Sequence, residues 1–504
     1  MADSGPERPV PTPGRRALLQ GSIAGLGGLT IAGMLPGLTP TAEAAPKPGD
    51  PNAGPPVRVD PTTKKSNPIV DRIAKSGVKV RLVDFCTPPR SAAAKPYAQL
   101  NYLYHAGDGQ PYVYCCDSRG KIWRIHRDTG ATSLFLDVKA VRGSAIETSN
   151  RHKGLRSFAF HPEWKTSGKP GFRKFYTVST ETVASRPSGV EVFSGDFPVQ
   201  SHCVVAEWQV RAGDPTKVDT STRRELFRIA TSGPHHNADT LLFDPNAKSG
   251  DDNYGKLFLT VGDGGYGDGR DKYNSAQNTG RLLGKILRFN PTDTSGGKRY
   301  GIPSTNPFVG RSGWLPHIWA LGLRHPQNIS FDRGGAKQLI CFDIGQAQIE
   351  EVNLIVKGGN YGWPLREGLW VTDRNNGLIL YELPSNDASK NYLYPVAMYD
   401  HNDGAAGCGG HVYRGSKIPA LNGHYLCGDL WNGRIYHVPA SSLVQGKQAT
   451  LKELTLYHNG KQTTLRQIVQ GVSNRVDLRI GTDEAGDIYI ITKQDGAIRK
   501  LVAY

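Results

Sequence analysis

Short apolar or alternating runs, each opened by a glycine, recur along most of the chain: Gly120-Lys-Ile-Trp-Arg-Ile, Gly255-Lys-Leu-Phe-Leu-Thr-Val, Gly284-Lys-Ile-Leu-Arg-Phe, Gly433-Arg-Ile-Tyr-His-Val and Gly486-Asp-Ile-Tyr-Ile-Ile. Such runs of β-branched and aromatic residues between turn residues predict strands, and the glycines supply the tight turns that join them. No helical stretch separates them. Strand, turn and strand repeating over roughly 400 residues is the pattern of radially arranged four-stranded blades, about six at that length. The expected fold class is therefore all-β, a six-bladed β-propeller, with a sandwich or jelly roll as the other all-β solution. The long loops 246–254 and 263–275 would then share one rim, where propellers place their sites.

The first residues break this grammar. Arg15 and Arg16 precede a weakly hydrophobic run from Gly21 to Leu38 without an acidic residue, and Ala42, Glu43 and Ala44 form a small-x-small cleavage site. This predicts a removable export signal over 1–44 of the twin-arginine type, with Gly14 in place of the usual Ser or Thr, and hence a secreted or cell-envelope protein. The run falls short of the ~20 strongly apolar residues that span a bilayer and nothing comparable follows, so no membrane span is expected in the mature chain. Residues 45–80 open Pro- and Lys-rich and are expected to be a flexible lead-in, with 81–504 as the propeller.

Export permits disulfides, but the seven cysteines, Cys86, Cys115, Cys116, Cys203, Cys341, Cys408 and Cys427, form no CxxC or CxxCH pattern and lie too far apart for a zinc cluster. The formal net charge of +16 is scattered, without a basic run. Anionic cofactors are attracted by such a surface, whereas no specific nucleic-acid binding is expected.

Candidate chemistry sits at the ends of the runs. His235-His236-Asn237-Ala-Asp239 precedes Thr240 to Phe243, and Val261-Gly262-Asp263-Gly264-Gly265 ends another run, which places an imidazole and a carboxylate at strand ends on one face. An imidazole there can take a hydroxyl proton, although one histidine among 14 is more often a hydrogen-bonded structural residue. Arg324 enters a loop closed by Pro326, and a guanidinium fork suits a planar anionic ligand, though alone it would be a surface ion-pair partner. Asp343 to Asn353 leads into Lys357 to Pro364; carboxylates and free carbonyls in a glycine-rich turn are the hard oxygen donors calcium prefers. Two adjacent glutamates by themselves mark only a solvated face.

Taken in order, Gly154-Leu155 with Phe158-Ala-Phe-His161-Pro162, His236-Asn237, Val261 to Gly265, Leu283 to Arg288, Gly322-Leu-Arg324-His325-Pro326, Gly358 to Pro364 and Gly409-Gly410-His-Val-Tyr413-Arg414-Gly415 resemble the soluble glucose/sorbosone dehydrogenase family over roughly Arg81 to Leu501. The resemblance implies a six-bladed propeller with pyrroloquinoline quinone and calcium at its mouth. By position it makes His236 the general base, Asp263 an acid on the sugar side, and Arg324, His325, Gln327 and Arg475 cofactor-binding residues. Gly345 and Gln346 would hold the cofactor's calcium through their carbonyls, and Glu351 and Tyr361 a second, structural calcium. The sequence departs from the family at His152 and Lys153, at His325, at Cys408, at Trp431 where a quinone-binding lysine stands, and at Asn474-Arg475-Val-Asp477, which keeps one arginine of a pair. The activity implied is oxidation of an aldose at C1 to the lactone, with an external electron acceptor. The alternatives are a non-catalytic propeller that binds a carbohydrate or protein partner, and hydrolysis of a lactone or ester.

Overall fold

The computed structural model describes residues 67–504 apart from residues 95, 266–269, 374–378 and 470–474. The export signal expected over 1–44, the lead-in as far as residue 66, and Asn474 lie outside the described residues.

The glycine-led runs are strands. Lys121–His126, Leu257–Val261, Lys285–Phe289, Ile435–Pro439 and Ile488–Thr492 follow Gly120, Gly255, Gly284, Gly433 and Gly486, all with positive φ, between +66° and +102°. The described chain is mostly β-sheet, in antiparallel units of four strands that follow one another along the sequence. The first holds Leu100–His105, Tyr112–Asp117, Lys121–His126 and Thr132–Asp137. The second holds Leu155–Phe160, Lys174–Glu181, Ser201–Arg211 and Asp214–Thr231, with Val192–Phe193 on its edge. The third holds Ala238–Phe243, Leu257–Val261, Lys285–Phe289 and Ile318–Leu321, and the fourth Pro326–Phe331, Leu339–Asp343, Ile349–Leu354 and Ala397–Asp400. A continuous last sheet contains Gly407–Cys408, His424–Asp429, Ile435–Pro439 and Lys452–His458, then Lys75–Cys86 beside Ala497–Ala503, Ile488–Thr492 and Leu478–Thr482.

Closure comes from the N-terminal strand. Lys75–Cys86 pairs antiparallel with Ala497–Ala503, Val80 opposite Ala503 and Leu82 opposite Leu501, and parallel with Lys452–His458 on its other side. Val80 and Leu82 are buried and Arg81 and Val83 exposed, the alternation of a strand covered on one face. The ordered body therefore begins before residue 80, where a flexible lead-in had been expected: the strand starts at Lys75, and the Asn67 and Ile69 backbone N–H groups already donate to Gln348 and Asp400. The first strands of the first four units touch in order, and Leu478–Thr482 touches Leu100–His105. Facing sheets pack apolar side chains between them, such as Val178, Val205 and Ile229 with Leu241, Leu259 and Leu287, none more than 1% exposed. Each buried side chain of this size contributes ~1.5–3 kcal/mol.

The two long loops do not share a rim. Ala238 lies opposite Val261 and Phe243 opposite Leu257, so 246–254 follows one end of this hairpin and 263–275 the other. Loops after consecutive antiparallel strands fall at opposite ends of a sheet. Among the described residues all seven cysteines are free, six of them buried, and no helix is long and apolar enough to cross a membrane.

Candidate active site

Chemically distinctive side chains collect where first strands begin and second strands end. His236 lies two residues before Ala238–Phe243 and Asp263 two after Leu257–Val261; Arg324 lies two before Pro326–Phe331, and Asp343 closes the strand beside it. Asp477 directly precedes Leu478–Thr482, and Lys493 directly follows Ile488–Thr492.

His236 adopts a left-handed backbone, φ +49°, which is uncommon outside glycine. A Cβ on Gly262 would stand 2.4 Å from the His236 carbonyl oxygen, and one on Gly265 2.9 Å from its ring. The glycines flanking Asp263 are thus the room the histidine occupies. His236 Nδ1 lies 2.7 Å from Asp263 Oδ1. The same oxygen accepts the Gly265 N–H at 2.9 Å, and Oδ2 accepts Trp363 Nε1–H at 2.9 Å. An acceptor-only carboxylate makes Nδ1 the protonated nitrogen, which leaves the lone pair on Nε2, and the imidazole keeps 10% of its surface open. Burial, then the charges of Arg324 and His325, hold its pKa well below 6.5, while burial pushes Asp263 up. The ring is therefore a neutral base at neutral pH.

His325 stacks on His236, ring centres 4.8 Å apart and planes 25° off parallel. Its Nε2 lies 2.6 Å from Asp239 Oδ2, and Arg156 Nε donates to Asp239 Oδ1 at 2.8 Å. Burial would raise the Asp239 pKa, but Arg156 and His325 outweigh it and hold the carboxyl well below its usual range. Asp343 accepts the consecutive backbone N–H groups of Arg324 (2.9 Å) and His325 (2.6 Å), which fixes the corner that presents both side chains. Arg324 Nη1 donates to Ile344 O at 3.0 Å and Gly345 O at 2.6 Å, with the guanidinium 5.5 Å from the Trp363 ring centre. Gln327 is buried, and its Oε1 has no hydrogen-bond partner among the described residues. Arg475 pairs with Asp477 and lies 5.1 Å over the Trp431 ring; Asp477 also accepts Arg151 Nη1 at 3.1 Å and Gln494 Nε2 at 2.7 Å.

Of the donors expected to hold calcium, the Gly345 carbonyl, the Glu351 carboxylate and the Tyr361 hydroxyl are engaged elsewhere. The Gly345 carbonyl is capped by Arg324, a cation that would repel a second one. The Gln346 N–H is one of four consecutive N–H groups, residues 346 to 349, that point at Glu367 Oε1 at 2.8–3.1 Å. Gly345 is needed for that turn, since a Cβ would stand 1.6 Å from Ile349 O. Glu351 spends one oxygen on Asn353 Nδ2 (3.0 Å) and the other on the Gly368 N–H (2.5 Å), and burial raises its pKa to about 7. The Tyr361 hydroxyl donates to Leu354 O (2.6 Å) and accepts the Val356 N–H (3.0 Å). Among the described residues no cluster of three or more His, Cys, Asp or Glu is poised for a metal. Calcium takes 6–8 oxygens, and these residues as they are bonded do not fit it.

The sequence model for glucose/sorbosone dehydrogenases matches residues 118–500. The chain belongs to the glucose/sorbosone dehydrogenase family. It is 31% identical over 382 residues to the HIPL1 protein of Arabidopsis thaliana, covering 67% of this chain and 52% of that protein. It is 27% identical over 262 residues to quinoprotein glucose dehydrogenase B of Acinetobacter calcoaceticus, covering 49% and 46%. The chain thus spans about half the length of the curated relatives it matches. The structure of the apo soluble aldose sugar dehydrogenase of Escherichia coli has the same fold, with a TM-score of 0.55 at 18% identity over 84% of this chain and 99% of that one.

Sequence reasoning named His236, Asp263, Arg324 and His325, and the fold brings these four together. It missed Asp239, Asp343, Trp363 and Lys493. Asp239, Asp343 and Trp363 stand inside motifs already singled out, but which residues they pair with, His325, the Arg324 and His325 backbone, and Asp263, is fixed only by the fold.

Proposed function

We propose that this chain is an exported, quinone-dependent aldose dehydrogenase on a six-bladed propeller. Four antiparallel units and a continuous last sheet made of two four-stranded halves support the blade count. The reading rests on the His236–Asp263 pair, a neutral imidazole oriented through Nδ1 and open at Nε2. The C1 hydroxyl of an aldose gives its proton to His236 Nε2 as the C1 hydride leaves, so that C1–O becomes the carbonyl of a lactone. Asp263 stabilises the imidazolium that forms. Pyrroloquinoline quinone, when bound, supplies the two-electron acceptor and passes electrons to an external one. Arg324, His325, Gln327 and Arg475 would hold it; the orphaned Gln327 Oε1 and the Arg324 guanidinium against Trp363 support this for a planar polar ligand.

The test is dye reduction by quinone-loaded protein over a panel of aldoses. His236→Gln is expected to remove ~10²- to 10⁴-fold of turnover while quinone binding persists, and Arg324→Ala to weaken both. Silence with every aldose would overturn the reading. The second reading, a non-catalytic binding propeller, is favoured by one feature: Asp477 neutralises Arg475, the one arginine kept of the family's pair.

A further inference from the structure

We propose that Lys493 and Arg479, set by Asn101 and backed by Arg156, form a subsite for a ligand carboxylate beside His236. The subsite rests on the dehydrogenase reading only for which molecule brings the carboxylate, the quinone cofactor or an acidic sugar.

Lys493 is 2% exposed. Its Nζ donates to Asn101 Oδ1 at 2.6 Å, and the Asn101 amide donates to Arg156 O at 2.7 Å, which fixes the oxygen toward the lysine. An ammonium has three protons to give, and no carboxylate of the described residues lies within ion-pair distance of this one. Arg479 is 8% exposed; its Nη1 donates to Leu478 O at 2.7 Å, and its buried Nε has no partner among the described residues. Arg156 adds a third positive charge, already committed to Asp239. With Arg151 and Arg475, five cations among the described residues at this end of the sheets lie around two carboxylates, Asp239 and Asp477.

Buried charge without a counter-ion is unfavourable, and removing the charge or supplying an anion relieves it. Burial, then Arg479 and Arg156, pull the Lys493 pKa well below the lysine range, and a carboxylate would reverse this. A carboxylate carries two acceptor oxygens, one for the Lys493 ammonium and one for the Arg479 Nε–H. The location is linked to the site through Arg156: its carbonyl accepts the Asn101 amide, its side chain donates to Asp239, and Asp239 holds His325, the ring stacked on His236.

The test is calorimetric titration of the full chain with pyrroloquinoline quinone, glucuronate and glucose, with a melting curve for each variant. Lys493→Met is expected to weaken carboxylate ligands at least tenfold, leave glucose binding unchanged and keep or raise the unliganded melting temperature, because a buried charge is gone. A merely structural lysine predicts the opposite: a lower melting temperature and unchanged binding by the folded fraction. Loss confined to the quinone assigns the carboxylate to the cofactor, and loss with glucuronate assigns it to the substrate. Arg479→Gln gives a second measurement should Lys493→Met not fold. Equal binding by wild type and variants, or no carboxylate binding by wild type, overturns the subsite. Carboxylate binding that depends on Lys493 in a protein inactive on every aldose leaves the subsite standing and refutes the dehydrogenase reading instead.

Discussion

Replacing Asp263 by Asn isolates what the carboxylate does for His236. Three donors converge on it: His236 Nδ1 and the Gly265 N–H on Oδ1, and Trp363 Nε1 on Oδ2. Asparagine offers one oxygen. Turned toward His236 it satisfies two donors and sets its own NH₂ against the indole N–H. Turned the other way it satisfies one, and it forces the His236 proton onto Nε2. The first orientation wins, and the orphaned indole N–H costs about 1–3 kcal/mol. The Nδ1 tautomer survives, but the imidazolium loses its negative partner, so turnover should fall by ~10² to 10⁴. The His236 pKa, already below 6.5, should fall further. Urea unfolding, NMR titration of the imidazole and dye-linked turnover on the same variant test the three effects. Turnover within twofold of wild type, or a His236 that titrates near 6.5 in the parent protein, would refute the proposed base.

Changing Arg15 and Arg16 together to Lys should block export of the mature chain beginning near Ala45, and unchanged export would point to ordinary secretion. Chelator or added calcium should leave the melting temperature where it is, because Gly345 O and both Glu351 oxygens already have partners; a calcium-dependent rise would show that the site rearranges to admit the ion. Lys285→Met should destabilise by ~1–3 kcal/mol in denaturant titration, since the fully buried Nζ donates to Ser275 O, Ala276 O and Leu283 O, each at 2.8 Å, and the variant removes the donor of all three bonds. Burial, then Arg333, lowers the His411 pKa to about 3, so between pH 6.5 and 3 the unfolded chain takes up a proton that the folded chain refuses, and stability falls with pH. In His411→Gln the slope of stability against pH over that window should be smaller by up to ~1.4 kcal/mol per unit, and an unchanged slope would place the imidazole in contact with water.

Much of the fold was legible because its signals are local. A turn glycine with positive φ and the run after it lie within a few residues of each other, so Gly120, Gly284 and Gly486 announced their strands. His236, Asp263 and Arg324 were legible as strand-end residues for the same reason. The rim assignment failed where locality failed: which end of a sheet a loop occupies depends on strand direction, and 246–254 and 263–275 leave opposite ends of one hairpin.

By itself the sequence determined the strand pattern, the family and the positions of a candidate base and its neighbours, since period-two alternation and turn chemistry are properties of adjacent residues. Only the tertiary structure decided the partners. His325 meets Asp239 across 86 residues and Lys493 meets Asn101 across 392, and Lys75–Cys86 closes the sheet of the C-terminal strands. The burial that lowers the His236 pKa, the guanidinium that caps Gly345 and the burial of Lys493 against Asn101 all depend on which strand ends meet. Desolvation and Coulomb energy depend on distance in space, and separation along the chain does not specify it.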